Sequence, residues 1–173
     1  MMKKIAFILF LFWFLVTCRI CLADERCNFC GADSTQVDKD IVLRCLIGQL
    51  VIDTANPSEA KRTIGCVIQQ WKIRDGAIGL SISDTFLGMM EINPHVFFEV
   101  MADNEAIFTE WLNKLDALSF TWFKQPPSPL EQKRKKLVQF LSKIGPFEKR
   151  QDALRQKLLS TLKNIKPRQV DQK

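Results

Sequence analysis

The sequence predicts an all-α fold, about seven helices in stacked antiparallel αα-hairpins filling residues 38–166. Three observations carry this. Apolar residues recur at steps of three and four through successive segments, the period that lines one face of a helix. The pairs Asn56-Pro57, Asn93-Pro94 and Ser128-Pro129 combine a capping side chain with a proline suited to a helix's first position. Finally, the turn Thr54-Ala55-Asn56-Pro57-Ser58-Glu59 separates two helical patterns, which must therefore run antiparallel and bring Cys45 and Cys66 to about the same height.

Residues 24–37 are short and polar, with Gly31, Asp33 and Ser34, and read as an irregular lead-in. From Asp38 the positions Ile41, Val42, Cys45, Leu46, Gln49 and Ile52 define a helix. Gly48 inside it costs about 1 kcal/mol relative to alanine, which a closely approaching neighbour would explain. The second helix, 57–72, places Ala60, Ile64, Val67, Ile68 and Trp71 on one face, with Glu59 set to complete a capping box with Asn56. A third opens at Asp75-Gly76 and runs through Ile78, Ile82, Phe86, Met89 and Met90 to Asn93-Pro94; a fourth covers 94–102. The segment 104–124 is helical at least to Leu115 and ends in the cluster Phe120-Thr121-Trp122-Phe123. After the break Gln125-Pro126-Pro127, the box Ser128, Pro129 and Glu131 opens a helix ending at Gly145-Pro146. A last helix covers 147–165, followed by a tail, 167–173, expected to be disordered.

Asn93-Pro94 follows Asn56-Pro57 by 37 residues, and at that offset Ile41, Leu43 and Leu50 meet Ile78, Leu80 and Leu87. The unit is helix, Asn-Pro turn, helix. In length and content it resembles repeats of the HEAT and armadillo type over about residues 38–111, which implies an α-solenoid-like scaffold of stacked hairpins, typically one for protein recognition, and no activity.

The N-terminus carries Lys3 and Lys4, an apolar run from position 5 to 16, and Cys21-Leu22-Ala23 before Asp24-Glu25, the pattern of an export signal cleaved after Ala23. The product is periplasmic or secreted. An uncleaved N-terminal anchor is the alternative, against which Arg19 interrupts a run that needs roughly 20 apolar residues to span. The remaining chain has 22 basic and 19 acidic residues, unevenly spread: residues 24–123 carry net −7 and residues 124–173 net +10. The repeat-like part, 38–124, is thus acidic and the C-terminal hairpin, 129–166, basic.

Four cysteines outlast the signal, and in an exported chain they read as disulfides, Cys45 with Cys66 and Cys27 with Cys30. The first pairing needs small neighbours, because packed helix axes lie ~8–10 Å apart and bridged Cα atoms within ~7 Å; Gly48 and Gly65 supply them. Cys27-Asn28-Phe29-Cys30 also has the spacing of a thiol oxidoreductase or half a zinc knuckle, but no helix start backs it, and Cys45, Cys66 and His95 match no zinc module.

His95 lacks a Gly-x-Ser-x-Gly partner motif and reads as a first-turn surface residue. Glu91, Glu99, Glu105 and Glu110 are the acids from which paired-carboxylate hydrolysis would draw. Phe120, Trp122 and Phe123 form either an exposed recognition patch or a plug between the repeat-like part and the hairpin. Lys133, Arg134, Lys135 and Lys136 head the basic stretch, which suits an acidic protein or an anionic membrane surface, or is a solvated face that neutralises the acidic part; nucleic acid is seldom met by an exported protein. With no catalytic residue, metal or cofactor assigned, the sequence reads as a non-enzymatic binding module for a protein partner, of inhibitor, immunity or envelope-assembly type. A small helical hydrolase using two carboxylates and a membrane-surface protein using the basic hairpin are the alternatives.

Overall fold

Pro57 opens the first helix because the side chain ahead of it has taken over two backbone donors. Asn56 Oδ1 accepts from the amides of Ser58 at 3.2 Å and Glu59 at 3.5 Å. Glu59 turns instead to Arg62, 2.7 Å away on the next turn, so the reciprocal half of the expected capping box is not made. The computed structural model describes residue 47 and residues 56–74, 76–122 and 128–169. Among them six helices follow one another: α1 (Pro57–Lys72), α2 (Gly76–Ile92), α3 (Pro94–Asp103), α4 (Glu105–Ser119), α5 (Ser128–Lys143) and α6 (Lys149–Asn164). The all-α prediction holds. The export signal, the lead-in with Cys27 and Cys30, and all of the first predicted helix except Ile47 lie outside the described residues.

The second Asn-Pro pair works as the first does, with Asn93 Oδ1 accepting from the Val96 amide at 3.4 Å and Pro94 opening α3. A single residue, Asn104, joins α3 to α4; its side-chain amide donates to the Val100 carbonyl at 2.9 Å and closes the end of α3.

Short α3 is the hub, packing against α1, α2, α4 and α6, while α5 packs on α6. The reason lies in α3's sequence, where Val96, Phe97, Phe98, Met101 and Ala102 are all buried. Phe86 of α2 meets Trp71, Phe97 and Trp111 at ring separations of 5.7, 6.3 and 5.5 Å, so α1 to α4 share one aromatic centre. Phe98 extends it to Phe108 at 6.5 Å and to Phe147, in the α5–α6 connection, at 5.4 Å. Apart from the tilted Trp71–Phe86 pair, these are edge-to-face contacts, the arrangement that ring quadrupoles favour.

A buried polar thread runs through this core. Trp111 Nε1 donates to Ser83 Oγ at 2.9 Å, and Ser83 Oγ lies 2.7 Å from Ser119 Oγ. Without these hydroxyls the indole N–H would stand unsatisfied in an apolar interior.

One of the two readings of the aromatic cluster is selected at Phe120, and one expectation changes, for the tail. Phe120 is fully buried in the core, so it packs rather than offering an exposed ring, while Phe123 lies outside the described residues. The close approach expected at Gly65 concerns the first predicted helix, which lies outside the described residues except for Ile47; no described atom comes within 4 Å of a Cβ added there. The tail is tied at its start: Arg168–Gln169 (β2) pairs in parallel with Thr121–Trp122 (β1), Thr121 opposite Arg168 and Trp122 opposite Gln169. Backbone pairing outweighs the tail's polar composition because the segment after α4 otherwise leaves amides and carbonyls without partners.

Two substitutions test this core by urea denaturation. Phe86→Ala is expected to cost about 3–5 kcal/mol of stability. Ser83→Ala, which removes the acceptor of a buried indole, is expected to cost about 1–3 kcal/mol. A midpoint unmoved by either would mean that the aromatic centre does not hold α1 to α4 together.

Candidate functional site

The ionisable side chains fall into two groups, one at the end of α1 and one on the α5–α6 pair. At the first, Arg74 lies just past α1 with its guanidinium 3.6 Å above the Trp71 ring. It donates to the Trp71 carbonyl and to Glu110 Oε1. Trp71 Nε1 donates to Glu110 Oε2 at 3.1 Å, and Lys114 Nζ, one turn on, donates to Oε1 at 2.8 Å. Hydrogen bonds from Lys114, then Arg74, then Trp71 hold the Glu110 carboxyl down to about 2. Such a group stays ionised at any ordinary pH and has no proton to offer in acid catalysis.

Two of the other three acids singled out from the sequence are also engaged, each by a different cation. Glu99 pairs with Lys61 across α3 and α1. Glu105 accepts from Lys157 Nζ at 2.7 Å, which draws its carboxyl below the ordinary range. Glu91 is exposed and lines a shallow depression of about 280 Å³ with Pro129, Gln132, Lys133, Lys136 and Leu137.

The basic stretch divides by residue type. Arg134 grips both oxygens of Glu131, at 2.8 and 2.6 Å, and donates to the Leu162 carbonyl at 3.1 Å. That hydrogen bond lowers the Glu131 carboxyl and raises the Arg134 guanidinium. Arg155 does the converse from α6, bonding Asp152 at 2.7 Å and the Leu141 carbonyl at 2.6 Å. The two arginines therefore lace α5 and α6 together, a role for which the planar guanidinium with several fixed donors is suited. Lys133 reaches Asp84 of α2 at 2.8 Å, Arg150 reaches Asp103 of α3 at 3.5 Å, and Lys157 reaches Glu105 of α4. These three bridges join the basic hairpin to the acidic helices. Lys135 lies 3.6 Å from Glu131 but is 70% exposed. Lys136, Lys143, Lys149, Lys163 and Lys166 are exposed, with no ion pair among the described residues.

Of the four residues at the head of the basic stretch, Lys133 and Arg134 are thus structural, and Lys135 and Lys136 face outward. Phe120 belongs to the core, with Lys133 Nζ 5.6 Å from its ring. His95 is exposed, its ring 4.5 Å from that of Phe147. Cys66 is buried and disulfide-bonded, its partner lying outside the described residues with Cys27, Cys30 and Cys45. Among the described residues no group of three or more His, Cys, Asp or Glu side chains could hold a metal ion, and no helix is long and apolar enough to cross a membrane. Sequence reasoning missed the division of labour between arginines and lysines. Glu131-Arg134 and Asp152-Arg155, both at i,i+3, were the signal available for it.

No family model, no curated protein and no solved structure matches the chain.

The Glu110 corner makes a prediction about pH. Folding lowers this carboxyl from 4.5 to about 2, so its contribution to stability is complete above 4.5 and is lost as the pH falls toward 2. Glu110→Gln is expected to cost about 1 kcal/mol or less near neutrality, the range for a partly exposed ion pair. Urea titrations of the two proteins should converge as the pH approaches 2. A difference that persists undiminished there would show that the substitution acts through packing and not through the charge.

Proposed function

We propose that the chain is an exported, non-enzymatic protein-binding module, a scaffold of stacked helical hairpins that engages a protein partner as an inhibitor, immunity or envelope-assembly factor. The observation that carries this reading is the use of the acids: Glu99, Glu105 and Glu110 each hold a different cation. A hydrolase would keep two carboxylates facing one another across a cleft, with their titrations pushed apart. Two further points support the scaffold. Helices touch their next-but-one neighbours, α1 with α3 and α2 with α4, as successive hairpins do when they stack. The interior is a single apolar cluster whose buried serines, Ser83 and Ser119, are turned to one another.

In this reading Cys66 pairs with Cys45 of the preceding helix, closing the first hairpin, and Cys27 pairs with Cys30. Export through an N-terminal signal cleaved after Ala23 supplies the oxidising compartment that these bonds require.

The partner is tested by affinity capture from envelope extract with the mature, oxidised protein, followed by reconstitution of whatever is captured from purified components. A stoichiometric complex with one protein is the expected result; glycan or small-molecule turnover without such a complex would overturn the module. The pairing is tested by thermal melting of Cys45→Ser together with Cys66→Ser, for which chain-entropy arguments give a loss of ~3 kcal/mol. An unchanged melting temperature would rule the pairing out.

A further inference from the structure

We infer that the outward side of the α5–α6 hairpin docks on an anionic lipid bilayer through Lys135, Lys136, Lys143, Lys149 and Lys163. This is independent of the protein-binding reading.

The inference starts from what this hairpin does with its cations. Two arginines point inward: Arg134 and Arg155 each bond a carboxylate of their own helix and a carbonyl of the opposite one, with side chains 17% and 12% exposed. The acids of the rest of the molecule take Lys133, Arg150 and Lys157. What remains is lysine. Lys136 and Lys143 stand seven residues apart along α5, two turns on one side, with Lys135 beside the first. On α6, Lys149 and Lys163 mark the two ends of the exposed run that includes Ala153, Gln156 and Ser160. Arg134 at the start of α5 bonds Leu162 at the end of α6, and Arg155 in the first half of α6 bonds Leu141 near the end of α5. The helices therefore run antiparallel, which sets Lys143 and Lys149 at the connected end of the pair, Lys135 and Lys136 midway along α5, and Lys163 toward the other end. Glu148, in the connection, is exposed near the first end, and Glu91 of α2 shares a depression with Lys136; each subtracts one charge.

The composition of this side selects the partner. Tight protein interfaces centre on buried aromatic or arginine anchors and are depleted in lysine. Apart from Arg150, which is turned to Asp103, the exposed residues of α5 and α6 are lysine, glutamine, serine and other small or polar groups, and the large exposed hydrophobics among the described residues, Ile73 and Leu80, lie on other elements. Strongly hydrated ammonium groups on long flexible stems suit a diffuse layer of negative charge that presents no fixed pocket, which is what anionic headgroups offer. With no apolar wedge on this side, the attraction is electrostatic and reversible, and it weakens as salt shortens the screening length.

The test is co-sedimentation of the full exported protein with phosphatidylcholine vesicles, with and without phosphatidylglycerol. Binding is expected only to the anionic vesicles and is expected to vanish at about 1 M salt, where the screening length is roughly 3 Å. Removing three outward charges (Lys136→Gln, Lys143→Gln and Lys149→Gln) is expected to weaken binding roughly 100-fold, about fivefold for each lysine near the surface. Removing three charges elsewhere (Lys61→Gln, Lys72→Gln and Lys114→Gln) should change it little. Equal binding to neutral vesicles, persistence in high salt, or equal losses in the two triple variants would overturn the assignment. So would displacement by soluble polyglutamate at charge concentrations matching the lipid's, which would identify an acidic protein as the occupant. Complex formation with a captured protein partner is read separately, so either proposal can fail alone.

Discussion

The contact between Phe86 and Trp111, 5.5 Å between ring centres, is the one on which the other elements depend. Phe86 joins α1 and α3 through Trp71 and Phe97, and Trp111 joins α3 and the rest of α4 through Phe97 and Phe108. Tryptophan in a core brings an N–H that must be met, and Ser83 meets it for Trp111. Trp71 solves the same problem at the edge. Its ring lies in the core, fully buried, while its N–H reaches Glu110 at the surface. The ionic corner of Arg74, Glu110 and Lys114 is thus the outer edge of the aromatic centre. It orients Trp71 against Phe86 as much as it adds Coulomb attraction, and the packing part of that role does not depend on pH.

The asymmetric charge of the sequence turns into structure in the same way. A hairpin this basic, left alone, would repel itself. Arginines paired with carboxylates three residues away on their own helix also reach a carbonyl of the facing helix, so each ties the two together while neutralising one charge. Asp84, Asp103 and Glu105, at three points along the acidic helices, then receive Lys133, Arg150 and Lys157. Single surface pairs contribute little, about 0–1 kcal/mol each, so their effect is orientational: the hairpin is held by its apolar face, Leu154, Leu158 and Leu162 among it, and the charges fix which way it sits.

Much of this was legible in advance, and the reasons differ by element. Helix starts at Asn56-Pro57 and Asn93-Pro94 were readable because a cap is a local interaction, settled within four residues. The span of α1 was likewise set by its own periodicity, and residues 57–72 form the helix as expected. Phe97 and Phe98 were not recognised as the centre, since neighbours in sequence point to different sides of a helix and only packing on several helices at once can bury both. Phe120 looked the same whether it plugged the core or faced solvent, because an aromatic beside a proline-rich break has no periodicity to orient it. The pairing of Arg168–Gln169 with Thr121–Trp122 spans 47 residues, and non-local strand pairing of two residues leaves no pattern in the chain. The basic stretch was visible as charge, but its split into bracing arginines and outward lysines needed the facing helix.

That split has a consequence for how scaffold and surface can change. A side chain bonded to a carbonyl of another helix cannot be replaced without leaving that carbonyl short of a donor, so Arg134 and Arg155 belong to the fold. Lys143, in the last turn of α5, meets the negative end of that helix, but Lys136 and Lys149 have no such obligation among the described residues, and each adds repulsion to a hairpin already rich in positive charge. Their removal should leave stability unchanged or raise it slightly. Stability therefore gives no reason for Lys136 and Lys149, whereas the docking proposed for this side gives one.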